Sequence, residues 1–209
     1  MKLKYVIDKE YDKQYVGISK KIIRDNFDDI YKNSLPYLKY TKNAYQAAWD
    51  KIGQKFFYYI TKETGYKWFY PEYKCVISVA NQGISNWGYA PIIIRGWKEN
   101  PYSQRRITAH ELILSHYFEI YRRHYSEYDL TDNQVWALAE IAAFALTSLT
   151  KTVKEFWPWD FTGYYTNHNY PQIVTLQNRL KKVFIERKSF NEYILAGIKM
   201  VKKFKDIKP

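Results

Sequence analysis

Lys74-Cys75-Val76-Ile77-Ser78-Val79, Ala90-Pro91-Ile92-Ile93-Ile94-Arg95 and Thr108-Ala109-His110-Glu111-Leu112-Ile113-Leu114-Ser115-His116 are the stretches on which the fold turns. The first two are short β-branched runs, which read as strands. They are separated by the turn-rich Asn81-Gln82-Gly83-Ile84-Ser85-Asn86-Trp87-Gly88. The third lies in a helical segment from about Ser103 to His124, directly after the strand pair.

Upstream, Leu3 to Val16 alternates weakly and reads as a strand or an ordered arm, while Ser19 to Tyr31 has helical spacing. Pro36 is expected to interrupt before a helix from about Thr41 to Thr61, whose apolar stripe includes Tyr45, Trp49, Ile52 and Phe56. Gly65 serves as its C-cap. Downstream, Thr131-Asp132-Asn133-Gln134 is a capping box that starts a further helix. An aromatic loop, Phe156 to Tyr165, then leads to two amphipathic helices, about Pro171 to Ile185 and Phe190 to Phe204. The order helices, strands, helices predicts an α+β fold, mainly helical, with a small sheet beside the His-Glu helix.

The 209 residues, 46% of them hydrophobic, are enough for one core and predict one domain. Within it, residues 1–40 form an N-terminal arm and helix, 41–149 the core, and 150–209 the aromatic loop and basic C-terminal helices. The sole cysteine, Cys75, lies in an apolar run, which excludes an intramolecular disulfide and fits a reducing, cytoplasmic setting. The first residues carry charges every few positions and no apolar run approaches membrane-spanning length, so membrane insertion is not expected. The formal charge is +12, and the segment from Gln177 to Pro209, with ten Lys or Arg against three acids, supplies +7 of it. Such a surface either meets an acidic partner or is merely solvated.

His110 and Glu111 are adjacent on a helix. In the H-E-x-x-H pattern, ligands at i and i+4 project from one face onto one zinc ion while the glutamate activates the metal-bound water. Here Leu114 stands at i+4. His116, at i+6, is rotated by roughly 120° and displaced by roughly 9 Å on a regular helix. It reaches the same ion only through a distortion such as a π-bulge; otherwise it has another role. Glu140 is the one charged residue in Val135-Trp136-Ala137-Leu138-Ala139-Glu140-Ile141-Ala142-Ala143-Phe144-Ala145-Leu146. A helix apolar all round is buried, and a buried carboxylate needs a partner, a proton or a metal. Two weaker candidates are a polar cluster of His116, Glu119 and Glu111, and His168 in a Tyr-rich loop.

The order helix, strand, turn, edge strand, His-Glu helix, Glu helix resembles the zincin metallopeptidases, of the gluzincin type. The spacing Trp136 to Glu140 and the step Tyr170-Pro171 resemble small zincin-like proteins in particular. The resemblance implies Glu111 as general base, His110 and Glu140 as metal ligands with His116 as the nearby histidine, zinc as cofactor, and a peptide or protein as substrate. Leu114 makes the motif degenerate. The expected function is therefore a zincin-like metallopeptidase, or an inactive derivative of one. The alternative is a non-catalytic protein that binds nucleic acid or another protein through its basic C-terminal helices, with Lys199, Lys202 and Lys203 as contacts.

Overall fold

Leu3 and Tyr5 alternate with lysines, and in the computed structural model this period of two forms strand β1 (Lys2–Val6), with both residues buried. The structure describes residues 1–85, 91–156, 170–204 and 207. It is α+β, with a four-stranded mixed sheet. The chain divides into two compact units: Met1–Gln54 with Tyr70–Ser115, and Lys55–Phe69 with His116–Pro209.

The first unit holds the sheet. β2 (Glu72–Ser78) and β4 (Ile92–Gly96) are the two β-branched runs, and they pair parallel to each other. β1 pairs parallel to β2 on its other side. The turn-rich segment contributes a further short strand, β3 (Gly83–Ile84), antiparallel to β4 at the sheet's end, in the order β1-β2-β4-β3. The turn segment's residues 86–90 lie outside the described residues. At the opposite end the edge of β1 is closed by one side chain: Gln46 accepts from the Tyr5 N–H at 3.0 Å and donates to the Leu3 carbonyl at 3.1 Å. An edge strand so blocked cannot pair with another chain, whereas β3 has no such cover among the described residues.

Helices α1 (Lys9–Gln14) and α2 (Lys21–Asp25) lead to α3 (Phe27–Asp50). Pro36 does not interrupt α3, contrary to expectation. It lies on the exposed side, where the Lys32 carbonyl that loses its donor can turn to water. Phe27, Tyr31, Leu38, Tyr45 and Trp49 are buried on the other side and outweigh the cost of a helical proline. The break comes instead at residues 51–52, before α4 (Gly53–Thr64). A Cβ at Gly53 would lie 2.6 Å from Trp49 Nε1, so only glycine allows the chain to turn against that ring. Gly65, at φ +75, ends α4 as read from the sequence.

Asp12 on α1 is fully buried and holds the end of β2. It accepts from the Ser78 hydroxyl and, at 2.9 Å, from the Val79 N–H. Ser78 Oγ in turn accepts from the Ala80 and Asn81 N–H groups at 3.0 and 2.8 Å. The turn that leads into β3 is thus tied to α1.

The long helix α5 (Gln104–His124) is α-helical throughout, with no π-bulge, and its residues through Ser115 belong to the first unit. The second unit is helical: the rest of α4 and α5, α6 (Asp132–Ser148), α7 (Lys151–Phe156), α8 (Val174–Glu186) and α9 (Phe190–Val201). Thr131 and Gln134 form the expected capping box at the start of α6, and the helix is buried from Gln134 to Thr147. α9 approaches α6 closely enough that a Cβ at Gly197 would meet Leu138 Cδ2 at 3.0 Å. Most of the aromatic loop, residues 157–169 with His168, lies outside the described residues. None of the helices among the described residues is long and apolar enough to cross a membrane.

Asp12→Ala should lower unfolding free energy by ~2 kcal/mol, because it strips a buried hydroxyl and a buried N–H of their acceptor. Urea denaturation of the purified chain checks this; an unchanged midpoint would mean the turn is held by other contacts.

Candidate functional site

His110 and Glu111 sit early in α5, and both are buried. Glu111 faces the sheet's edge. A Cβ built on Gly83 of β3 would lie 2.7 Å from Glu111 Oε1 and 2.7 Å from Arg95 Nη1. The two charged atoms are therefore no more than twice that distance apart, with the glycine backbone against both. A side chain at residue 83 would displace the end of one or both of them.

Arg95 is 0% exposed. Its guanidinium donates to the Gln82 carbonyl through Nη1 and to both oxygens of Glu99 through Nη2, each at 2.6 Å. Glu99 is itself positioned through Tyr45, whose hydroxyl accepts from the Glu99 N–H at 3.0 Å and donates to the Gly96 carbonyl at 3.0 Å. Cys75 shares this neighbourhood; burial pushes its thiol well above the ordinary range, which leaves it an inert core group. Neither Arg95 nor Gly83 was singled out from the sequence. The usable signals were the charge closing the apolar run Ile92-Ile93-Ile94 and its i+4 spacing to Glu99.

Leu114 shares the face of α5 that carries His110 and is 3% exposed, part of the core. His116 lies elsewhere on the helix, in the second unit. Its ring stacks on Trp68 at 4.4 Å and 26°, with Phe69 at 5.4 Å. Neither ring nitrogen has a hydrogen-bond partner among the described residues. Burial holds the imidazole neutral, with its pKa pushed down to about 3 against the opposing pull of Glu119. Glu119 is engaged by Arg122 and Arg123, both at 2.7 Å.

Glu140 is buried on α6, as the apolar surroundings predicted, and accepts from Trp136 Nε1 at 3.1 Å. The Tyr170 ring meets Trp136 edge to face at 5.0 Å. Trp136 thus touches both Glu140, its partner in the Trp-to-Glu spacing, and Tyr170 of the Tyr-Pro step. The i+4 spacing is what lets the indole reach the carboxylate.

A zinc ion would need a second donor on the His110 face of α5, and that place holds an aliphatic side chain. No group of three His, Cys, Asp or Glu among the described residues is arranged to hold a metal. The donors present on α5 do not fit the zinc site that the resemblance implies, and no chemistry is derived through it. Lys199, Lys202 and Lys203 are all exposed, with Lys202 Nζ 5.9 Å from the Tyr128 ring. Neither protein-family models, nor curated proteins, nor solved structures give a match to this chain.

His116 gives a pH signature. Its folded pKa lies below the ordinary 6.5, so the unfolded chain binds the extra proton and stability falls as pH drops from about 6.5 towards about 3. The slope contributed is about 1.4 kcal/mol per pH unit in that window. His116→Phe, which keeps a ring against Trp68, should flatten the dependence by that amount in urea titrations at several pH values. An unaltered slope would place the titration elsewhere.

Proposed function

We propose that this is a zincin-like protein of the inactive kind, a peptide-binding scaffold that takes an extended peptide along the edge strand β3 beside Glu111. The observation that carries this reading is the approach of the Glu111 carboxylate to the backbone of Gly83 on an antiparallel edge strand. The acid that follows His110 on the helix thus comes up against the edge on which another strand can add. Backbone hydrogen bonds from the sheet edge supply affinity in such an arrangement. The opposite edge is blocked by Gln46, whereas no side chain among the described residues bonds the outer backbone of β3 in that way. The element order β2, β3, β4, α5, α6, together with the Trp136, Glu140 and Tyr170 group, supports the same kinship.

Hydrolysis is another matter. Leu114 leaves the face of α5 with one imidazole, so the second protein donor that a metal-activated water would need is missing. The reading is therefore of binding without turnover.

The test compares the native chain with Leu114→His. Zinc affinity is measured by competition with a chelator, and binding and cleavage of fluorescein-labelled casein are followed by anisotropy and by release of small fragments. The native chain should bind casein, hold zinc weakly or not at all, and leave the substrate intact. The variant should gain at least tenfold in zinc affinity, since an imidazole ligand replaces a methyl-bearing side chain. Tight zinc with cleavage by the native chain would overturn the inactive reading. Absence of casein binding by both would overturn the peptide-binding one.

A further inference from the structure

The solvent face of α3 carries rings without a role in the core. Tyr37 is 62% exposed and Tyr40 77% exposed, one turn apart on the helix. Beside them runs the segment that leaves β4. Trp97 lies with its ring centroid 5.9 Å from that of Tyr37, inclined by 37°. Its carbonyl accepts from Thr41 Oγ1 at 3.3 Å, which fixes this segment against α3. Lys98 Nζ sits 4.8 Å from the centre of the Trp97 ring.

Exposed cations lie on this side of the unit: Lys32 and Lys39 on the solvent side of α3 and Lys98 on the adjoining segment, and between Ile30 and Trp49 the helix carries no acid. The nearest acid on the adjoining segment, Glu99, is turned inward and held by Arg95. Toward the C-terminal end of α3 the pattern recurs: Tyr102 is 50% exposed, Lys51 Nζ lies 5.3 Å from its ring centre, and the Arg105 guanidinium 5.0 Å from it.

We infer that this face of α3, with Tyr37, Tyr40, Trp97 and Lys98 at its centre, is a platform for single-stranded nucleic acid. Unpaired bases offer flat faces for the exposed rings, and the lysines meet the phosphates between them. A duplex keeps its bases stacked inside and cannot use the rings. The inference is independent of the peptide reading at Glu111, and it concerns residues other than the C-terminal lysines.

The test uses the full chain and fluorescein-labelled oligonucleotides of about twelve nucleotides, oligo-dT and oligo-rU, with a hairpin duplex and polyphosphate as competitors. Anisotropy should show binding of the single strands at low salt, with at least a roughly tenfold preference over the duplex and over polyphosphate. Log affinity should fall with log salt at a slope of about −2, as contacts from Lys32, Lys39 and Lys98 give on a single strand. Tyr37→Ala with Tyr40→Ala should weaken binding roughly tenfold or more, while Tyr37→Phe with Tyr40→Phe retains it. Both sites are exposed, so the melting temperature should not move, and this separates loss of contact from loss of fold. Lys98→Gln should make the salt slope shallower by about 0.7. The ratio of oligo-rU to oligo-dT affinity assigns the ligand as RNA or DNA. Absence of binding at low salt would overturn the inference. So would affinity unaffected by the alanine pair, equal affinity for duplex or polyphosphate, or loss of binding only on charge reversal at Lys199, Lys202 and Lys203.

Discussion

A guanidinium without access to water stands at the end of β4, and the first unit is arranged around it. Arginine keeps its proton in any protein environment, so Arg95 cannot be buried by becoming neutral. It must be met by acceptors. Glu99 comes back one helical turn's spacing later to take Nη2, and the Gln82 carbonyl takes Nη1. The second contact reaches into the turn before β3, which means that the same side chain that closes β4 also sets where the edge strand lies. Breaking such a buried pair by removing one partner costs about 3–5 kcal/mol, because the remaining charge is left uncompensated.

The consequence for the site is geometric. With the guanidinium fixed, residue 83 must pass close to it, and glycine is what allows the backbone and the Glu111 carboxylate to share that space. Asp12 secures the turn from its other end through Ser78 and Val79. Burial raises the Asp12 pKa despite those hydrogen bonds. A group whose folded pKa is raised favours the native state at low pH, and that contribution is lost as pH rises through the carboxylate range. Two buried ionisable groups therefore bracket the three residues that lead into the edge strand, and neither belongs to a helix or strand that periodicity alone would mark as functional.

What could be read in the sequence follows from how far each feature depends on distant partners. The runs at residues 75–79 and 93–95 are buried on both faces and read as strands from their own composition. The capping box at Thr131 and the burial of Glu140 were likewise legible, because capping is local and the apolar surroundings of Glu140 are its own helix. β3 was not, since two residues in a turn-rich segment become a strand only through β4. Pro36 misled for a related reason: its cost is local, but the buried side chains at Phe27, Tyr31, Leu38, Tyr45 and Trp49 that outweigh it act through the rest of the unit. His116 could be placed off the face of His110 by helical geometry, yet its stacking partners, Trp68 and Phe69, are far away along the chain.

At Leu114 the physical contrast is between a buried aliphatic side chain and a histidine that would ligate a metal. A ligating histidine stabilises a fold only to the extent that metal is present, through the free energy of binding to the native state. A leucine at the same position contributes through apolar contact at all times; removing such a buried side chain typically costs about 2–5 kcal/mol. Placing leucine there makes the stability of α5 in its surroundings independent of metal supply. It also removes an imidazole that would need a partner when no ion is bound. Glu111 stands close to the Gly83 backbone of the edge strand, while the Arg95 guanidinium beside it is taken up by Glu99 and the Gln82 carbonyl. The elements that form the sheet edge are held by Arg95, Glu99, Asp12 and Ser78, and none of these contacts depends on a metal ion.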